Sequence, residues 1–374
     1  MRLPKDHKLS YKAYTYKTRN SSIVQTEEVL KFNVDSHNHV VLQPNQILIK
    51  VNAAGLNGVD LLLYNSTYSL FSWIKENHGF GIDYSGEIFA IGSDIKKKLL
   101  LNVGDDVCGM FYQPLGQGTV AEYIVYDGEA SYGQSITKIP ENLTLEQAAA
   151  WPLIYTTAHL CFQGQQVNNK KILVIGGATP VGRYVAKLAY IAGAKEIITT
   201  NSQPSPEFPT NTASTDQIDY SKYKSILYPV LESVQNTGQF DYIYDCLGTS
   251  ELWPEISTIL KPKSTNSEYV SIVGDQNYDI ASAHVIGMIP HTFKWLYREF
   301  SSMLGLLSVN YRYLRVLTAK KSQLQDIIKA GKNLIEIEHL DIYIDSIYDF
   351  NDFDQAIDKL KTQNGSGKVI IKIN

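Results

Sequence analysis

The stretch from 171 to 194, KILVIGGATPVGRYVAKLAYIAGA, contains the residue types and spacing that most directly suggest chemistry. An apolar run ends in glycines and passes into a helix-period segment. A strand, turn and helix in that order offer unpaired helix N–H groups and a positive dipole end to a phosphate. In a dinucleotide-binding turn the first glycine makes the bend, the second lets backbone approach the pyrophosphate, and the third lets the helix pack on the strand. Gly177 and Gly182 occupy the first and third places, with Thr179 in the second. Pro180 removes one donor, but its fixed φ suits a first helical turn. Gly177, Thr179, Pro180, Val181 and Gly182 are therefore expected at a phosphate; the competing reading keeps the glycines for turning alone.

The next strand, EIITTN, ends in Thr200, Asn201 and Ser202. An NAD site usually places an acidic residue there for the ribose hydroxyl, and neutral groups instead avoid repelling a 2′-phosphate. NADPH is the expected cofactor, against the alternative that these are loop residues without a ligand.

Stepping outward to the elements that must position these groups, residues 21 to 130 read as short alternating strands with glycines at the corners, a β-rich sandwich or barrel pattern. From 143 onward, helices alternate with the apolar strands KILVIGG, EIITTN, FDYIYDCLG and YVSIVGD, the βαβ order that builds a parallel sheet. A proline-rich segment, SQPSPEFPTNTASTD, predicts a short or missing crossover helix after the second of these strands. The chain closes on a helix, a glycine turn and a strand.

With 374 residues, two domains are expected. Net charge is −4, so nucleic acid and anionic membrane are not expected as main partners. The three cysteines Cys108, Cys161 and Cys246 form no CxxC pair, which argues against a disulfide framework or zinc lobe and fits a reducing compartment. The basic N-terminus lacks the apolar core of a secretory signal, so a cytoplasmic address is expected, with a mitochondrial presequence left open. In the apolar stretch 300–317 the uncharged run, Phe300 to Tyr311, is too short to span a bilayer, and the stretch reads as a buried helix, with peripheral membrane contact as the alternative.

Taken in order, VNAAGLNGVDLLLYNSTY, GIDYSGEIFAIGSDI, VGDDVCGM, GTVAEYIV, IPENLTLEQAAAWPLIYTTAH, the glycine turn, FDYIYDCLG, YVSIVG and GSGKVIIKI resemble the medium-chain dehydrogenase/reductase superfamily. The resemblance is to its zinc-free quinone-oxidoreductase, zeta-crystallin-like branch, and within it to the fungal subgroup of the Yim and Ast proteins. It implies an α/β fold: a GroES-like β-rich domain from 1–150 with 335–374, and a Rossmann doubly wound parallel-sheet domain at 151–334. It also implies a cleft at the domain junction and NADPH hydride transfer to a small-molecule quinone or α,β-unsaturated carbonyl.

By the same resemblance Asn57, Tyr68 and Thr157 are the expected catalytic residues, lining the pocket and approaching the nicotinamide, while Tyr220, Gly248, Val273 and Gly274 join the cofactor set. Asp60 is expected to fix the local backbone. Zinc-dependent cousins carry Gly-His-Glu where this chain has Gly81-Ile82-Asp83, and Ile82 ligates nothing, so no metal is expected; His78 nearby reads as a loop or packing residue. Leu62 replaces a common pocket tyrosine, and Pro204 stands where a basic residue usually meets the 2′-phosphate. These departures keep a second reading open, a non-catalytic binding or trafficking factor for membrane proteins or lipid surfaces. RNA binding has no basic patch behind it. A homodimer through the Rossmann edge strand is expected near 268–290, although IASAHVIGMIPHTF also suits a substrate lid.

Overall fold

A computed structural model describes residues 8–18, 21–35, 40–66, 77–114, 116–202, 214–274, 285–362 and 367–373, with the backbone alone for 285–291. Tyr68, residues 203–213 of the proline-rich segment with Pro204, and 280–284 of the lid alternative lie outside these residues. The chain divides into two compact units, Met1–Leu153 with Leu317–Asn374, and Ile154–Val316.

The first unit is built on β strands: β1 (Lys8–Tyr16), β2 (Val24–Lys31), β3 (Asn33–Val34), β4 (Val40–Val41), β5 (Gln46–Leu56), β6 (His78–Gly79), β7 (Asp83–Ile91), β8 (Asp106–Phe111), β9 (Tyr123–Asp127) and β10 (Gln134–Lys138). Short helices α1 (Gly58–Ser66), α2 (Ser93–Leu99) and α3 (Leu145–Ala148) interrupt them, and α4 (Pro152–Cys161) leads into the second unit. β5 pairs antiparallel with β7 and with β9, and its apolar face buries Ile47, Ile49 and Val51 against Tyr84, Ile88 and Phe111.

The second unit holds β11 (Lys171–Ile175), α5 (Pro180–Ile191), β12 (Glu196–Asn201), β13 (Asp216–Asp219), α6 (Leu227–Thr237), β14 (Tyr242–Asp245), α7 (Ile256–Ile259), β15 (Glu268–Ser271), α8 (Val285–Met303) and β16 (Asn310–Tyr313). Its six strands are all parallel, in the order β13-β12-β11-β14-β15-β16. This is the doubly wound order in which the sequence of strands reverses beside the first one. Every residue of β11 is buried, as a central parallel strand covered on both faces requires.

The chain then returns to the first unit with α9 (Lys321–Glu336), β17 (Ile344–Asp349), α10 (Phe353–Thr362) and β18 (Lys368–Lys372). β18 inserts between β5 and β17, antiparallel to the one and parallel to the other.

Three expectations are corrected here. Residues 317–334, assigned by sequence to the Rossmann domain, belong to the first unit: Gln325 on α9 accepts from Ile136 N (3.2 Å) and donates to Ile136 O (2.6 Å) on β10. The stretch 300–317 is not a buried helix. α8 ends at Met303, and Phe300, Met303, Leu304 and Leu306 are 58–77% exposed. The edge strands of the parallel sheet are β13 and β16, not 268–290, because β15 has β14 on one side and β16 on the other. No described helix is long and apolar enough to cross a membrane.

Candidate functional site

Strand register gathers the expected cofactor residues at one sheet edge. Ile175 stands beside Thr200 and Asp245, Asn201 beside Asp219, and Asp245 beside Ser271. The loops that follow these positions, beginning at Gly176, Ser202, Cys246 and Ile272, therefore leave the sheet together at its carboxyl end, with Tyr220 just past β13. This is where open parallel sheets hold their ligands.

The glycine turn is tightly built. A Cβ on Gly182 would lie 2.2 Å from Gly176 O, and one on Gly177 would lie 2.5 Å from Thr199 Cβ. Both positions exclude a side chain through contacts with the protein itself. Thr179 is the N-cap of α5 and Pro180 its first residue. The Thr179 hydroxyl donates to Gly176 O (2.7 Å) and accepts from Gly182 N (3.0 Å). Of the amides the sequence assigned to a phosphate, those of Gly177, Thr179 and Gly182 are thus already satisfied, while that of Val181, like that of neighbouring Ala178, meets no acceptor among the described residues. Arg183, whose Nε donates to Ala178 O (3.3 Å), brings a guanidinium to the same turn.

Thr200 is committed to the turn as well, its hydroxyl accepting from Gly176 N (3.1 Å) and its carbonyl from Gly177 N (3.1 Å). Asn201 donates through Nδ2 to Thr199 Oγ1 and Gln217 Oε1 (both 3.2 Å), and its buried Oδ1 has no donor among the described residues. Ser202 is exposed. Past β13, Asp219 caps the turn at Ser221, and Lys222 pairs with it at 3.3 Å; the Lys222 side chain is otherwise largely in solvent. The ion pair lowers the Asp219 carboxyl, after the Ser221 hydroxyl bond. Tyr220 packs partly against the core of the unit.

Gly248, in the left-handed region at φ 80°, gives its N–H to Asp245. That carboxylate also accepts from Leu247 N, Thr249 N and the Tyr269 hydroxyl, and burial raises it to about 6 despite these donors. Gly274, at φ 72°, donates to Ser271 Oγ (3.0 Å), and Val273 beside it is half-buried. Thr157 is buried in α4, its carbonyl accepting from the Cys161 thiol.

Asn57 lies in the first unit, and its side chain is fully engaged inside it. Nδ2 donates to Gly55 O (3.2 Å) and Asp83 Oδ2 (3.1 Å), and Oδ1 accepts from the Lys368 ammonium. Lys368 also pairs with Asp83 at 2.7 Å, both side chains being nearly solvent-free. Asp83 Oδ1 accepts from Leu153 N (2.9 Å). Asp60 accepts from Asn57 N through Oδ2 (2.7 Å) and so fixes the start of α1, and its buried Oδ1 has no partner among the described residues. Burial, the largest influence, pushes the Asp60 carboxyl up to about 7.

The cluster does not fit zinc. Ile82 is buried and apolar, Cys108 is buried with its thiol raised by burial, and Asp83 already faces a fixed ammonium. Among the described residues no three His, Cys, Asp or Glu side chains are grouped to hold a metal ion.

Sequence reasoning missed Lys368, Arg183 and Lys222. Lys368 pairs across 285 residues, which leaves no local signal. Arg183 follows the glycine turn directly and was legible as a cation at a helix start. Lys222 lies one strand beyond the proline segment, past the position at which the family pattern carries its basic residue.

Family models match two parts of the chain: an alcohol dehydrogenase GroES-like domain over 43–140 and a zinc-binding dehydrogenase over 215–371. The chain belongs to the medium-chain dehydrogenase/reductase superfamily, with an α/β fold of a GroES-like domain and a Rossmann-like parallel sheet. It is similar to Protein YIM1 of Vanderwaltozyma polyspora, 29% identical over 380 residues and covering 98% of this chain and 99% of that one. Protein YIM1 of Saccharomyces cerevisiae is 27% identical over 353 residues, covering 88% and 91%.

Among solved structures, the quinone oxidoreductase from Coxiella burnetii has a TM-score of 0.71 at 21% identity over 98% of this chain and 100% of that one. The Escherichia coli quinone oxidoreductase complexed with NADPH has a TM-score of 0.68 at 15% identity over 97% and 99%. At such identities the likeness is one of fold.

Proposed function

We propose that this chain is a zinc-independent NADPH-dependent reductase that transfers hydride to a quinone or an α,β-unsaturated carbonyl. The observation that carries the reading is the convergence of the glycine turn, Asn201, Gly248 and Gly274 at the carboxyl edge of one parallel sheet. The fit to a dinucleotide is supported by the donorless buried Oδ1 of Asn201 beside Gly177, which suits a ribose hydroxyl. The free Ala178 and Val181 amides with the Arg183 guanidinium suit the pyrophosphate. Lys222 supplies the cation for a 2′-phosphate that the segment around Pro204 lacks.

When bound, the nicotinamide supplies the hydride. The protein's part is to orient it and to polarise the acceptor oxygen. Asn57 serves here as a positioning residue rather than a substrate ligand, since its amide is spent on Gly55, Asp83 and Lys368. Tyr68 is assigned the proton or hydrogen bond to the carbonyl, and Thr157 the nicotinamide side.

The second reading, a fold retained for binding without turnover, is favoured by one observation: the Thr179 hydroxyl already holds an amide that the phosphate would use. Titration of the pure protein with NADPH, following nucleotide fluorescence, separates the two. Saturable binding is expected, tighter than for NADH, with turnover of members of a quinone panel. Lys222→Ala should weaken NADPH by roughly one to two decades, the equivalent of one charged contact of about 1.5–3 kcal/mol, and leave NADH unchanged. Absence of saturable binding at millimolar nucleotide would overturn the reductase.

A further inference from the structure

We propose that Lys321 is an acylation site: a nucleophilic amine set among lysines that attract an anionic, activated acyl donor of the acyl phosphate class. All of its residues belong to the first unit, and none of them enters the reductase reading. Lys321 opens α9, and the position is electrostatically unfavourable for a cation. The N-cap is Lys320, whose side chain caps nothing, and the first turn carries no acidic residue. A helix start bears a partial positive charge, which disfavours an ammonium there.

The backbone at this point is fixed, since the Lys321 amide donates to Ser131 O (3.0 Å). The side chain is half-buried. It lies over the ring of the fully buried Tyr126, with Nζ 4.2 Å from the centroid, and donates to Asp127 O (2.5 Å), a carbonyl rather than a carboxylate. From the neighbouring α2, Lys98 acts on it as a second cation. Burial, the largest influence, together with Lys98 brings the Lys321 ammonium down to about 8 against the opposing pull of the Asp127 carboxylate. An amine that is desolvated and placed beside another cation is activated as a nucleophile near neutral pH. At pH 7.5 about a quarter of it is neutral, against about 0.1% of an ordinary lysine amine. The weaker nucleophilicity of a weaker base returns about one decade of that gain, by the relation thiols follow.

The same charges select the donor. Lys96, Lys97 and Lys98 on α2 and Lys320 beside Lys321 are all exposed, and a local field of one sign raises the concentration of a reagent of the other. In the transfer, neutral Nζ attacks the acyl carbon and the N–C bond forms. The acyl C–O bond to phosphate breaks, the phosphate leaves with that electron pair, and the amine proton passes to solvent. Nothing is oxidised or reduced. The product amide is uncharged, so acylation removes a cation from the helix start and from the face of Tyr126.

Incubation of the full chain with acetyl phosphate, followed by peptide mass spectrometry, tests the proposal, with the exposed Lys329 of the same helix as internal reference. At pH 7.5 and low salt the initial rate at Lys321 should exceed that at Lys329 by roughly 10-fold or more. The ratio should shrink at pH 9.5, where Lys321 has finished deprotonating. It should also fall several-fold in Lys98→Glu, which puts an anion where the neighbouring cation stood, with thermal unfolding as the folding control. Raising salt to about 0.5 M should slow Lys321 more than Lys329, because screening removes the attraction for the donor. Equal rates at the two lysines in the wild type, or a ratio that neither pH nor salt moves, overturns it.

Discussion

Replacing Thr179 by glycine tests directly whether the turn before α5 competes with a phosphate for its own amide. Thr179 is extended, at φ −66° and ψ 154°, a conformation open to glycine, so the backbone path should persist. The hydroxyl that accepts from Gly182 N and donates to Gly176 O disappears. Replacing an N-cap threonine by glycine costs a few tenths of a kcal/mol, and the added freedom of the unfolded chain roughly 0.5 kcal/mol more. For a unit the size of Ile154–Val316 this lowers the unfolding temperature by about 2–3 °C. The freed Gly182 N–H joins those of Val181 and Ala178. Because a hydrogen bond to a charged group contributes about 1.5–3 kcal/mol, dinucleotide affinity should rise by roughly one to two decades. Fluorescence titration beside a thermal melt reads both quantities. Thr179→Ser, which keeps the cap, should match the wild type in each. A lower melting temperature with unchanged affinity in Thr179→Gly would refute the reasoning, because no phosphate would then be competing for that amide.

Two further outcomes follow from the buried cluster. Lys368→Met leaves Asp83 charged and without its cation, which should destabilise the protein by about 3–5 kcal/mol in denaturant unfolding, whereas Lys170→Met, at a half-exposed pair, should change stability by under ~1 kcal/mol. Asp60 is held protonated up to about 7, well above its unfolded value of 3.8, so its contribution is full below pH 3.8 and is lost as pH rises through 7. Asp60→Asn should therefore flatten the fall in stability between pH 4 and pH 7 measured by denaturant midpoints; an unaltered slope would show that this carboxyl titrates normally.

The parallel sheet was legible because its signals are local: KILVI is apolar throughout, and the glycine turn marks where strand becomes helix. Thr179 was visible as a departure, but not its role as a cap, which depends on the hydroxyl reaching Gly182 three residues on. The stretch 300–317 departs from expectation because an apolar run implies burial only when something covers it, whereas α8 ends at Met303 and Phe300, Met303, Leu304 and Leu306 are exposed. The resemblance implies that Asn57 lines the pocket, but the engagement of its amide is not legible, because its partners Asp83 and Lys368 lie 26 and 311 residues away and leave no trace in its neighbourhood. α9 shows ordinary amphipathic periodicity, which says that it packs on something but not that the partner is β10.

The insertion of β18 between β5 and β17 sets an order of events during synthesis. A ribosome that has delivered β5 and β7 has made a strand pair whose Asp83 still awaits the ammonium of Lys368, and the gap beside β5 stays open until residues 368–372 emerge. The parallel sheet of the second unit, complete once β16 has been made, can therefore mature while the first unit still waits. A nascent chain stalled before residue 368 would expose the flank of β5 to chaperones and proteases.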